Sequence, residues 1–390
     1  MTKKEYTILT GSRQTGKSTL LRQLERHCQQ HHMPVAFINL ENKTLLADLN
    51  SSPLNLLNYL PETSKRVVVL VDEVQYLDDA SNFLKLLHDE HAETIKIVAT
   101  GSSAFYIDKA FRDSLAGRKR LFHLPTCSFE EHLELSGKND LLTELDHIRQ
   151  NEQAKSVRAE YLKNEWYTYM TYGGYPAVIT ETDLVTKKEI VKEIRDSFVK
   201  RDILESGVTN EVGFYNLMRI LAGQCGSLVN VNELSSTLRM RHETVNNYLG
   251  IMRKCFHISL VRPFYRNLRK ELVKMPKVYF NDNGLRNSLI NNFQQPNIRI
   301  DRGDLWENTV YRELANRYGD DEIHYWRTTS GNEVDFVLPN QEQPLAIEAK
   351  FDQSQIRQNK YKVFRETYPD ISLSFSCLEP FDTDLFRKLL

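Results

Sequence analysis

The sequence has little cysteine: Cys28, Cys127, Cys225, Cys255 and Cys377 are the only five in 390 residues, and no C-x-x-C pair occurs. A disulfide framework and a thiolate zinc site are therefore excluded. Net charge is almost absent, −1 from 51 Lys+Arg against 52 Asp+Glu. A protein that coats nucleic acid along its whole surface is far more basic, so any such contact must come from a local patch. Long apolar runs are missing too. The longest aliphatic stretch, Val67–Val71, is too short to span a bilayer. The opening MTKKEYTILTG has no apolar signal region and leads straight into a strand. There is no internal repeat and no low-complexity segment. These absences predict a reducing, soluble, cytoplasmic setting with no membrane partner. What is present is 41% hydrophobic and 10% aromatic, enough over 390 residues for about two to four ordered domains.

Residues 11–18 read GSRQTGKS, a G-x-x-x-x-G-K-[ST] pattern. Average residue usage produces such a match by chance about once in a hundred chains of this length. The flanks carry more weight. Tyr6–Leu9 (YTIL) has strand composition, and STLLRQLERHC places Leu20, Leu21 and Leu24 at helical spacing. A strand before and a helix after is the context a phosphate-cradling loop needs. In that geometry Gly11 and Gly16 let the backbone curl around phosphates, with Ser12, Arg13, Gln14 and Thr15 between them and Thr19 just inside the helix. The helix N-terminus adds partial positive charge. Lys17 then reaches the β- and γ-phosphates, and the Ser18 hydroxyl ligates Mg²⁺.

A second stretch, KRVVVLVDEVQY at 65–76, puts five aliphatics before two acids. Continuous aliphatic character predicts a parallel strand buried on both faces. Asp72 and Glu73 then fall at the strand's carboxyl end, where α/β sheets bind ligands. Asp72 is expected in the Mg²⁺ shell and Glu73 as the group that polarises the attacking water. A third strand, IKIVATGSS, ends in small polar residues, and Ser102 is either a γ-phosphate contact or part of a Gly-Ser turn. Arg118, in LAGR, is either an arginine finger offered to a neighbouring copy or a structural arginine. His27, His31 and His32 have no carboxylate alongside and read as a solvated helix face, not a metal site.

Beyond Phe129–Leu135 (FEEHLEL), which reads as the last helix of the nucleotide domain, the pattern is helical to about residue 205. YGGYPAV at 172–178 interrupts it, because two glycines and a proline cannot continue a helix. Helices at 214–223, 231–238 and 242–256, with the RMR turn between the last two, have helix-turn-helix spacing. Apolar strands at 258–263 and 277–280 flank a candidate wing. Arg239, Arg241, Arg262, Arg266, Arg269, Lys270 and Lys274 make turn and wing basic, which suits phosphate contact with duplex DNA or a solvated protein-contact lid.

EVDFVL (333–338) and LAIEAKF (345–351) read as paired strands. Alternation puts Glu333 and Asp335 on one face, and Glu348 and Lys350 on one face of the partner. Asp335 and Glu348 could grip a second divalent cation, with Glu307 adding a ligand and Lys350 orienting water or a phosphate. Charged alternation on an exposed hairpin is the other reading.

With these motifs in place, the chain resembles the prokaryotic AAA-family ATPases that carry a carboxy-terminal domain of unknown function, relatives of the signal-transducing NTPases. The resemblance rests on GSRQTGKS, VVVLVDEVQ, VATGSS, LAGR, YGGYP, the winged helix and EVDF…AIEAK. It implies ATP and Mg²⁺ as cofactors and ATP hydrolysis through Lys17, Ser18, Asp72, Glu73 and Ser102, with Arg118 as the LAGR arginine. It implies a nucleotide contact from Gly174 and Pro176, and a PD-(D/E)xK nuclease-like end carrying Glu307, Asp335, Glu348 and Lys350, without the usual proline before Asp335. The expected fold is α/β, a P-loop NTPase domain of the ASCE/AAA type with a parallel sheet, followed by a helical lid, a winged helix-turn-helix and a nuclease-like α/β domain. The expected boundaries are 1–135, 136–205, 206–282 and 298–390. Three uses of the nucleotide compete: ATP-gated DNA processing, a non-cutting switch on DNA or protein, and a homo-oligomeric remodeller.

Overall fold

The computed structural model describes residues 4–101, 117–151, 156–265 and 274–389. Ser102, Arg266, Arg269 and Lys270 lie outside them. Two compact units result: 4–125 together with 254–256, and 126–253 together with 257 onward.

In the first unit the aliphatic runs form a five-stranded sheet of β1 (Tyr6–Thr10), β2 (Val35–Asn39), β3 (Val67–Asp72), β4 (Ile95–Gly101) and β5 (Lys119–His123). All pairings are parallel and the order is β2-β3-β4-β1-β5. The runs in β3 and β4 are unbroken because every residue is buried. Val67, Val69, Val71, Ile95, Ile97 and Ala99 join one core with Leu49 of α2 (Lys43–Ser51) and Phe83, Leu84 and Leu87 of α3 (Ala80–His91). Val68, Leu70 and Val98 point the other way, to Leu21 and Cys28 of α1 (Lys17–Gln30). Strand alternation thus feeds two cores, and a polar residue on either face would cost one of them. Parallel pairing also brings the carboxyl ends of β1, β3 and β4 to one edge of the sheet.

The second unit begins with helices Phe129–Leu135, Asn139–Gln150, Ala159–Tyr172, Pro176–Thr180 and Leu184–Glu205. Phe129–Leu135, expected to close the nucleotide domain, sits here for a packing reason. The Phe129 ring meets Trp166 edge-on at 4.4 Å and stacks on Phe386 at 5.5 Å. The break at YGGYP is present: Gly173 (φ 82°) caps Ala159–Tyr172, and Pro176 starts the next helix.

Helices Glu211–Gly223, Val231–Leu238 and His242–Lys254 follow, the last two separated by the left-handed Arg239 (φ 52°). Strands β6 (Ile258–Pro263) and β7 (Lys277–Phe280) pair antiparallel. They are not a free wing, since β6 also pairs parallel with β8 (His324–Arg327). With β9 (Glu333–Leu338), β10 (Leu345–Asp352) and β11 (Ser372–Glu379) they form one six-stranded sheet, ordered β11-β10-β9-β8-β6-β7. Burial explains it: all four residues of β7 are inside, and a solvated wing could not hide Val278, Tyr279 and Phe280. Among the described residues no helix is long and apolar enough to cross a membrane.

Candidate functional site

The loop after β1 turns on three residues at positive φ: Gly11 (152°), Gln14 (58°) and Gly16 (94°). The reason for glycine at 11 lies behind the loop. A Cβ there would fall 2.1 Å from the Leu124 carbonyl oxygen at the exit of β5. Gly16 is the N-cap of α1 and has no side chain to accept from the first turn, which also carries no acid. The helix therefore presents uncapped N–H groups and its positive dipole end, an arrangement suited to an anion. The Lys17 ammonium, 6% exposed, donates to the carbonyls of Gly11 (2.9 Å) and Ser12 (2.5 Å), inside the loop's own curl. Thr15 Oγ1 donates to Ser12 O at 2.9 Å, and Ser12 Oγ to Phe256 O at 3.1 Å. Arg13 is buried, while Gln14 and Thr19 face outward.

Ser18 and Asp72, fifty-four residues apart, meet: Ser18 Oγ donates to Asp72 Oδ1 at 3.1 Å. Asp72 also accepts from the Thr100 hydroxyl, which accepts in turn from Glu73 N at 3.1 Å. Glu73 stands in the left-handed region (φ 61°, ψ 49°), so its side chain leaves the strand line, and Gln75 Nε2 donates to its carboxylate. Two residues escaped the sequence reading. Thr100 ties the acid pair together, and Gln75 steadies Glu73. The polar end of VATGSS was the available signal for Thr100. For Gln75 it was an amide two residues after the acid.

Arg118 stands at the amino end of β5, whose pairing runs from Tyr6↔Lys119 to Thr10↔His123. It is thus a strand length, about 13–16 Å, from the edge where the loop lies. Its guanidinium grips Asp89 with both Nε (2.6 Å) and Nη2 (3.3 Å), which holds the Asp89 carboxyl below its usual range. Gly174 and Pro176 belong to the second unit. Gly174 N donates to Asp282 Oδ2 at 2.7 Å, and a Cβ at 174 would lie 2.3 Å from Cys127 O. Pro176 is the first residue of its helix. Close packing against Cys127 thus calls for a glycine at 174.

On the helix pair Val231–Leu238 and His242–Lys254, Val245, Tyr248, Leu249 and Met252 are buried. Arg239, Arg241, His242, Asn246, Asn247 and Arg253 are exposed, as are Arg262 and Lys274 nearby in the chain.

The acids of β9 and β10 do not lie on an exposed hairpin. Asp335 is 4% exposed and Glu348 1%. Their strands are antiparallel, and Asp335 N donates to Glu348 Oε2 at 3.2 Å. Lys350 Nζ lies 2.6 Å from Glu348 Oε1 and 3.6 Å from Asp335 Oδ2. Glu307, on the helix Arg302–Tyr318, joins them through a residue the sequence reading left out. Lys277 of β7, its side chain 2% exposed, places Nζ 3.0 Å from Glu307 Oε1, 2.5 Å from Glu333 Oε1 and 3.4 Å from Asp335 Oδ1. Tyr279 donates to Glu307 (2.6 Å), Tyr361 to Glu348 (2.8 Å), and Ala349 N to Asp335 Oδ2 (3.1 Å). Burial, reinforced by Asp335, pushes Glu307 and Glu348 each up to about 7. Burial also works against the Asp335 charge, but Lys277 and Lys350 hold that carboxyl below its usual value.

The sheet order, the loop and the acid pair define a P-loop α/β domain. Comparison with known proteins agrees: residues 3–133 match the AAA domain family, 163–296 a domain of unknown function (DUF8612) and 302–378 another (DUF4143). The chain thus joins a region similar to the AAA domain family to a carboxy-terminal region similar to DUF4143. It is 24% identical over 356 residues to an uncharacterized protein of Haemophilus influenzae, covering 88% of this chain and 82% of that one. It is 23% identical over 377 residues to an uncharacterized protein of Methanocaldococcus jannaschii, MJ1544, covering 94% and 79%. Among solved structures, the Aeropyrum pernix ORC2 protein in its ADP form overlaps 66% of this chain and 81% of its own at 12% identity and a TM-score of 0.32. That likeness is too slight to support any statement about this chain.

Proposed function

We propose that the first unit binds ATP with Mg²⁺ and hydrolyses it, and that nucleotide state controls contact between the helix-turn-helix and duplex DNA. The observation that carries the ATPase reading is the meeting of Ser18 and Asp72 at 3.1 Å beside the uncapped start of α1, with Glu73 turned out next to them. These residues fit the cofactors. The α1 N–H groups and Lys17 suit phosphates; Ser18 and Asp72 supply hard oxygen donors for Mg²⁺. When bound, the metal neutralises phosphate charge. Glu73 accepts a proton from the attacking water, and Thr100 and Gln75 hold it in place. Arg118, far along the sheet from its own loop, is suited to act on a neighbouring copy's nucleotide. In that role Arg118→Ala loses turnover but keeps binding, and wild-type turnover per chain rises with concentration.

The DNA reading rests on the exposed Arg239, Arg241, Asn246, Asn247 and Arg253 around the third helix. Arginines there suit phosphates and asparagines suit base edges. ATP turnover by the full chain, with and without duplex DNA at several salt concentrations, tests both steps. Stimulation that fades with salt supports DNA as the partner. Turnover indifferent to DNA replaces it with a protein partner, and no turnover at all removes the ATPase reading.

A further inference from the structure

The acids of the carboxy-terminal sheet form the constellation that a divalent cation would need: Glu307, Asp335 and Glu348 converging from a helix and two strands. Yet the space between them is already claimed. One ammonium touches Glu307, Glu333 and Asp335, at 3.0, 2.5 and 3.4 Å. A second touches Glu348 and Asp335. We propose that Lys277 is the resident cation of this cluster, standing where a divalent metal would otherwise sit, so that the wild-type sheet holds no metal and does not cut nucleic acid by a metal-dependent route. The proposal is independent of the ATPase reading, since no residue is shared.

Three observations carry it. First, Lys277 cannot step aside. Its side chain is 2% exposed on a strand buried along its whole length, and an ammonium moved off its carboxylates inside a sheet would be left buried and unpaired. Second, the acceptor oxygens are in use. Glu307 Oε1 takes Lys277 and Tyr279, Asp335 Oδ2 takes Ala349 N, and Glu348 Oε1 takes Lys350 and Tyr361. Gly226 packs close by: a Cβ there would lie 3.0 Å from Glu307 Oε1 and 3.1 Å from Oε2. Third, the charges nearly balance. Four carboxylates (Glu307, Glu333, Asp335, Glu348) face Lys277, Lys350, Arg327, which pairs with Glu333 at 2.7 Å, and Lys360, 4.0 Å from Glu348 Oε1. A doubly charged ion added to that set leaves it positive and sits beside Lys277 on shared ligands, where repulsion at low dielectric is large. Without Lys277 the set is left with a negative surplus, which favours a cation in its place.

The test is Mn²⁺ binding to the nucleotide-free full chain, followed by electron paramagnetic resonance. Wild type is expected to show no bound Mn²⁺ that Asp335→Asn removes. Lys277→Met keeps the length and apolar stem of the side chain. It is expected to gain one Mn²⁺, at least tenfold tighter than any wild-type binding, and to lose it again when Glu348→Gln is added. Wild-type Mn²⁺ lost in Asp335→Asn overturns the proposal, as does a folded Lys277→Met with no gain. If Lys277→Met does not fold, wild type decides. A melting temperature unchanged by chelator, together with no Asp335-dependent Mn²⁺, supports the resident lysine; a chelator-dependent melt refutes it.

Discussion

Two acidic clusters in this chain are built on strand ends beside a lysine, and they use the lysine in opposite ways. At the loop of the first unit, Lys17 donates to backbone carbonyls and Asp72 accepts from the hydroxyls of Ser18 and Thr100. Hydroxyls orient a carboxylate without cancelling its charge. In the carboxy-terminal sheet, Lys277 and Lys350 sit directly on the carboxylates and cancel most of theirs. The same residue types make an open set of ligands in one place and a closed ion-pair lattice in the other. The neighbour that satisfies each acid decides which.

The comparison breaks if the two lysines prove interchangeable in role. Lys17→Ala is expected to abolish nucleotide binding by calorimetry while the melting temperature of the free protein stays close to wild type. Glu73→Gln is expected to bind ATP normally and lose about 10²–10⁴ in turnover, read by phosphate release. Lys277→Ala leaves buried Asp335 and half-buried Glu307 and Glu333 without their shared cation, and should cost about 3–5 kcal/mol in denaturant unfolding of the second unit with little effect on nucleotide affinity. Thr100→Val keeps shape and removes the hydroxyl that joins Asp72 to Glu73. About one hydrogen bond's worth, roughly 1–1.5 kcal/mol or tenfold in turnover, is expected to go. The smallest effect concerns pH. Burial raises Glu313 to about 7, and the group accepts from Tyr169 Oη at 2.8 Å. The native state then binds a proton that the unfolded chain releases near 4.3. That stability is fully present below the unfolded value and lost as pH rises through about 7. Glu313→Gln should flatten the decline in melting temperature between pH 5 and 8, and an unchanged slope would assign the decline to other groups.

Local patterns carried much of this into view. The loop's context, the acid pair closing β3, the break at YGGYP and the helix pair at 231–238 and 242–254 each lie within about 25 residues of chain, where periodicity and punctuation suffice. Pairings across the sheets did not come through. Lys277 stands 58 residues before Asp335, and no spacing rule links a lysine on one strand to acids three strands away in the sheet. The wing was misjudged for the same reason: an apolar hairpin reads alike whether it stands free or forms the edge of another sheet. Thr100 was not legible because many residues near a strand end are polar, and only register puts Thr100 beside Asp72. The glycine at 11 was legible as a loop glycine, but its backbone neighbour, Leu124, is far away in the chain.

The turn at Glu73 limits substitution there before chemistry is considered. A left-handed backbone at φ 61° admits glycine freely, asparagine and aspartate with some ease, and β-branched residues hardly at all. A saturation library at position 73, scored once for soluble protein and once for turnover, would sort into two unlike sets. Glycine would pass the first screen and fail the second, valine would fail both, and glutamate alone would pass both. Much of the intolerance at this position would then be geometric, present in the empty protein and independent of any bound nucleotide.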